Sequence, residues 1–157
     1  MLARMNPHPN PQPSATTEPG QLIAPGHRAG DLLEAYNWLI VTEAPGKLRV
    51  RAHLPERLKN PQGQLFGGFT PTYVDLVSLF TVHAGETDAD PATPRNWLTT
   101  INMRCDYFEP IVNDTFEILG EIVNRRGLTI SVSTKFFQGE TMAAHALTTI
   151  REVPDVS

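Results

Sequence analysis

Asn60-Pro-Gln-Gly-Gln-Leu-Phe-Gly-Gly-Phe-Thr-Pro-Thr-Tyr-Val-Asp-Leu-Val-Ser-Leu-Phe-Thr-Val-His83 is the stretch that sets the architecture of this chain. Its first half is a polar loop with glycines, where the backbone can come close to a ligand. Its second half, from about Thr70 to Ala84, has helical periodicity. Tyr73, Leu76, Val77, Phe80 and Ala84 share one face, while Val74, Leu79 and Val82 lie off it. A helix that is apolar nearly all round is buried on several sides. It carries one acid, Asp75, and a lone carboxylate in such surroundings needs a partner or a function.

Upstream, residues 1–29 hold six of the fourteen prolines and few large apolar side chains. That composition predicts a disordered leader, with a single domain over 30–153. Asp31 to Tyr36 reads as one or two helical turns, and Trp38 to Thr42 as a strand. Pro45-Gly46 then turns the chain into a second strand, where Leu48, Val50, Ala52 and Leu54 alternate with Arg49, Arg51 and His53.

Downstream, Gly85 to Asn96 reads as a loop, followed by four consecutive antiparallel strands. In the first, Ile101, Met103, Cys105 and Tyr107 alternate with Thr100, Asn102, Arg104 and Asp106. The others are marked by Phe116, Ile118 and Ile122, by Leu128 to Phe136, and by Met142 to Ile150, with Gly120 a candidate bulge. Short glycine-bearing connections at Asn124–Gly127 and Gln138–Glu140 predict hairpins. The fold class is α+β: a curled antiparallel sheet wrapped around one long central helix. One sheet covers only part of such a helix, so a second subunit is expected on the rest.

Composition narrows the function. At 157 residues the chain has room for one core, and its net charge of −4 gives no basic footprint for nucleic acid. No apolar run is long enough to span a bilayer, and no secretory signal opens the sequence. One cysteine, Cys105, excludes an internal disulfide and a multi-cysteine metal site. No histidine pair has metal-ligand spacing, so neither a metal nor another cofactor is expected. A cytoplasmic location follows.

The loop and helix resemble those of the hotdog-fold thioesterases, specifically the PaaI-like acyl-CoA branch. That family's loop reads Asn-x-x-Gly-x-Leu-His-Gly-Gly, then six residues and an acid; here Asn60, Gly63, Leu65, Phe66, Gly67, Gly68 and Asp75 fill the pattern. Tyr107-Phe-Glu-Pro110 also looks like the family's strand that closes on proline. The resemblance implies an acyl-CoA thioester bound where two subunits of a homodimer or homotetramer meet. It carries the catalytic acid over to Asp75 and the loop asparagine to Asn60. The backbone donor for the thioester oxygen falls on Gly68 or Gly67, and the assisting hydroxyl on Thr100. One departure is plain: the motif histidine is Phe66, so turnover is expected to be lower or substrate choice altered.

The chemistry suits the residue types. Helix N-terminal amides stabilise a developing oxyanion, worth on the order of 3 kcal/mol for one donor. Asp75 would activate water, or attack directly to give an anhydride. Gly63 and Phe66 are placed near substrate by the motif. Arg125 and Arg126 are either a solvated hairpin or a contact for coenzyme A phosphates. Thr70-Pro71 reads as an N-cap followed by first-turn proline, which would start the helix after the glycines. His53 and His145 are expected to face solvent.

Overall fold

A computed structural model of the chain describes residues 18–86 and 96–154. The long helix α2 (Thr70–Val82) follows a 3₁₀ turn over Gly67–Phe69, so the helical path begins at the two glycines. Thr70 is therefore not the N-cap: that position falls to Phe69, which makes no side-chain cap. Pro71 sits in the first turn, where its missing N–H leaves no bond unmade.

Six strands wrap this helix: β1 (Leu39–Ala44), β2 (Lys47–His53), β3 (Trp97–Tyr107), β4 (Thr115–Arg126), β5 (Thr129–Gln138) and β6 (Thr141–Val153). They form one antiparallel sheet in the order β1-β2-β4-β5-β6-β3. Strands β2 to β6 all touch α2, so the sheet curls about it, as a hotdog fold does. The expected hairpins β1–β2, β4–β5 and β5–β6 are present. The first of the four downstream strands departs from expectation. β3 does not pair with β4; it crosses to the far edge and pairs with β6.

The core forms where helix and sheet meet. Trp38 stacks on Tyr73 with centroids 5.3 Å apart and planes 8° off parallel, and Tyr73 packs in turn on Phe116 and Phe136. The Tyr73 hydroxyl donates to the His53 carbonyl at 2.8 Å, which satisfies its polar end inside the core. Nearer the centre, Ser78 Oγ lies 3.1 Å from Thr134 Oγ1 and 3.4 Å from Thr148 Oγ1. These buried hydroxyls satisfy one another.

Gly120 is not a bulge. It sits in regular register opposite Leu48 and Thr134, and the irregularity in β4 falls instead between Ile122 and Asn124. Its missing side chain serves the close approach of α2. A Cβ at Gly120 would overlap Thr81 Oγ1 and stand 3.2 Å from Val77 Cγ1. Thr81 has little freedom to yield, because its hydroxyl donates to the Val77 carbonyl at 2.7 Å. Gly120→Ala is expected to destabilise the fold by about 2 kcal/mol, as overpacking does. Urea unfolding measures this, and adding Thr81→Ala should recover most of the loss.

Residues 18–29, expected in the leader, pack on the domain. Leu22 and Ile23 are buried in its core, Gln21 bridges Leu39, and Ile40 N–H donates to the Gly20 carbonyl at 2.7 Å. Two adjacent apolar residues beside a backbone pairing are enough to anchor a proline-rich segment. The packed unit thus reaches back past residue 30. Residues 1–17 of that leader lie outside the described residues, as do 87–95 of the loop expected after α2. Instead of one helix over 31–36 there is a short α1 (Arg28–Leu32) and a 3₁₀ turn, Ala35–Asn37. Arg57 clamps the end of α1 by donating to the carbonyls of Asp31 and Leu32 at 2.8 and 3.0 Å. No described helix is long and apolar enough to cross a membrane.

Candidate active site

The half-buried residues of α2, among them Thr72, Asp75, Leu79 and Phe80, form with its C-cap His83 the flank its own sheet leaves open. Their spacing of three and four puts Thr72, Asp75, Leu79 and His83 on a single stripe. That stripe lines a cavity of about 410 Å³, together with His27, Ala29, Trp97 and Leu98. Asp75 is thus neither entombed nor bathed in bulk water. It stands at the edge of an apolar slot.

Thr100 meets it there. The Thr100 hydroxyl donates to Asp75 Oδ1 at 2.5 Å and is, among the described residues, the side chain that bonds this carboxylate. An irregularity in β3 makes the contact. The register slips between Thr100 and Asn102, leaving Ile101 as an extra, unpaired residue. The slip puts Thr100, opposite buried Ile150, on the same face as Met103 and Cys105, which pack on the core. Strict alternation placed Thr100 on the face away from them; a bulge re-aims it toward the helix.

The glycine end of the motif forms a second cavity, of about 290 Å³, lined by Asn60, Gln64, Gly67, Thr70, Tyr107 and Glu109 among others. Tyr107, which spacing did not single out, donates to the Gly67 carbonyl at 2.9 Å and ties β3 to the helix start. Burial and the neighbouring Cys105 both push the Tyr107 hydroxyl above the usual phenol range, so it keeps its proton at neutral pH. The amides of Gly67 and Gly68 lie in the first turn, where no intrahelical acceptor exists. Neither donates to another described residue. A Cβ on Gly68 would stand 2.8 Å from the Phe66 ring, so this aromatic packs close against Gly68. Phe66 leans edge-on against Phe69 and is 54% exposed.

Asn60 is largely occupied with its own loop. Its Oδ1 accepts from the amides of Gln62 and Gln64, both at 3.0 Å, and its Nδ2 donates to the Gln64 side chain at 3.2 Å. Gly63 closes that turn at φ +76°, a conformation natural to glycine, and lines neither cavity. Arg125 and Arg126 also stand clear of both cavities, and Arg125 pairs with Glu152 at 3.2 Å. His53 and His145 are half-buried rather than free in solvent. His53 pairs with Glu34 at 3.2 Å, and His145 Nε2 lies 2.9 Å from Ser133 Oγ. Cys105 faces inward, and burial pushes its thiol up. Among the described residues, no three His, Cys, Asp or Glu side chains converge as a metal site would require.

The candidate residues therefore fall into two groups. Asp75 and Thr100 share the larger cavity; Asn60 and Gly67 share the smaller one. Asp75 lies seven residues beyond Gly68, about 10 Å along the helix axis. Within the chain, Asp75 and the glycine amides thus line different cavities or lie about two helical turns apart.

No family model matches the sequence, and no curated protein matches it either. The fold does have solved counterparts. A thioesterase-named, phenylacetic acid degradation-related protein from Ralstonia eutropha JMP134 superposes with a TM-score of 0.66 at 21% identity, over 82% of this chain and 92% of that one. A protein named as a hypothetical thioesterase from Streptococcus pneumoniae TIGR4, solved with coenzyme A, gives 0.63 at 20% identity, over 77% and 89%. Thioesterase superfamily member 2 from Mus musculus gives 0.63 at 20%, over 80% and 88%. The chain has the hotdog fold of these thioesterase-named structures.

Proposed function

We propose that this protein is an acyl-CoA thioesterase working as a two-fold dimer, in which each site joins the larger cavity of one protomer to the smaller cavity of its partner. The observation that carries this reading is the Asp75 carboxylate, held by Thr100 at the rim of an apolar slot. The split between two cavities supports the dimer. So does β3, an eleven-residue edge strand whose outer edge pairs with no described residue and which exposes Trp97 and Ile101. A bare edge of that length invites a second strand.

In this reading the acyl group lies in the apolar slot and the thioester oxygen faces the Gly68 amide of the other subunit. Asp75 takes a proton from water as the water oxygen bonds to the carbonyl carbon, or its own oxygen bonds there first to give an anhydride that water then opens. Either way the C–S bond breaks, and coenzyme A leaves as thiolate and takes up a proton. Thr100 positions Asp75 by occupying one carboxylate oxygen, while Asn60 positions the glycine loop. The fold's coenzyme A-bound counterpart supports coenzyme A as the carrier. The single inward-facing cysteine suits a reducing cytoplasm.

The test is release of free thiol from a panel of acyl-CoAs by the purified chain. No release above background would remove the enzyme reading and leave the second one, a non-catalytic acyl-CoA binder, which Phe66 in the histidine position favours. The role given to Thr100 has its own outcome. Thr100→Val should lower kcat about tenfold with little change in KM, and Thr100→Ser should restore most of it.

A further inference from the structure

Gly67 and Gly68 are the only adjacent glycines in the chain. A peptide plane flanked by glycine on both sides turns with least hindrance, so its direction depends on what holds it. Its oxygen, the Gly67 carbonyl, is held twice. The Thr70 amide donates to it across the 3₁₀ turn. The α-helical donor, four residues on, would be residue 71, but Pro71 has no N–H. A carbonyl oxygen has two lone pairs, and the Tyr107 hydroxyl fills the one so left, at 2.9 Å. The ring lies against the same unit: a Cβ on Gly67 would stand 3.7 Å from Tyr107 Cε1. In the peptide unit ahead, the Phe66 carbonyl takes its bond from the Phe69 amide instead.

We propose that Tyr107 is a positioning residue that singles out and strengthens the Gly68 amide as oxyanion donor, an inference that rests on the acyl-CoA reading above. The other end of the tied unit is the Gly68 N–H. The peptide is trans, so this N–H runs antiparallel to the Gly67 carbonyl, and pinning the oxygen fixes where the hydrogen points. Hydrogen bonds on the oxygen also polarise the unit, which makes its N–H a stronger donor. The Gly67 amide belongs to the unit ahead and lacks this tie. A donor fixed beforehand need not reorient as charge develops on the thioester oxygen. Tyr107 thus acts through the peptide rather than on the thioester.

HNCO spectroscopy on the full chain tests the tie directly. With ¹³C in the glycine carbonyls and ¹⁵N in the glycine amides, only the Gly67–Gly68 peptide carries both labels, so it gives a single peak. Tyr107→Phe keeps the ring and removes the hydroxyl; it should move the Gly67 carbon and the Gly68 proton upfield. Meta-fluorotyrosine at position 107, kept protonated in mildly acidic buffer, is a stronger donor and should move both the other way. With acyl-CoA, Tyr107→Phe should lower kcat about tenfold with little change in KM, while the fluorinated protein keeps the wild-type rate. A peak that stays in place in Tyr107→Phe would overturn the proposal, as would a kcat within about twofold of wild type. A wild-type chain that releases no thiol would instead overturn the acyl-CoA reading, and the peak alone would then decide the tie.

Discussion

Asp75→Asn is expected to lower kcat for acyl-CoA hydrolysis by about 10³-fold, the scale of losing a well-placed base. The substitution is close to isosteric. Its amide oxygen can still accept from Thr100, which now bonds the carboxylate at 2.5 Å, so the ring of contacts round the slot should persist. Asp75 is half-buried at a cavity edge rather than paired in the core, so stability should shift by less than about 1 kcal/mol. KM should change little, because the lost interaction belongs to the reacting atoms. Steady-state thiol release together with a urea midpoint decides it. A variant retaining a tenth or more of the wild-type rate would dismiss Asp75 as the reacting group. Single turnover in ¹⁸O-water identifies direct attack if label enters the Asp75 carboxylate, which happens when water opens the anhydride at the Asp75 carboxyl carbon.

The second large effect is rescue between two dead proteins. Asp75→Asn removes the acid, and Gly68→Pro removes the amide donor from the 3₁₀ turn that opens α2. Each variant alone should be inactive. If acid and amide act across subunits, a mixed dimer carries one site damaged twice and one site intact. Statistical mixing makes half the dimers mixed, and half of their sites whole, so about a quarter of wild-type activity should return. If acid and amide acted within one chain, every site would hold one lesion and mixing would restore nothing. Proline can distort the turn, so Asn60→Ala serves as a second partner variant; its loss would be smaller, with recovery in the same direction.

Much of this arrangement was legible in the chain because the central helix is so unusual. Residues 70–82 are apolar on almost every side, a pattern that a sheet curled round the helix largely satisfies. The loop glycines and Asp75 stand out as candidates for a related reason: a lone acid on an apolar helix, and two adjacent glycines at its start, are residue types a buried element otherwise avoids. What stayed hidden depended on register. Alternation through 98–107 could not reveal that Ile101 is an inserted residue, so Thr100 was assigned to a face it does not occupy. Gly120 looked like a bulge because a strand glycine has two physical uses, and only the position of Thr81 separates them. His27 lay in a segment whose prolines argued against structure, and it was Leu22 and Ile23 that pinned it down. The pairing of β3 with β6 depends on a crossing that no local pattern encodes.

The extra residue in β3 also divides that strand into two segments of opposite parity. Positions 97–100 answer to the larger cavity and Asp75, and 103–107 answer to the interior and to the helix start. A designer could therefore reshape that cavity through the first segment and leave the second untouched. Deleting Ile101 would be the damaging edit, because it would rotate Thr100 outward while every neighbouring side chain kept its chemical identity.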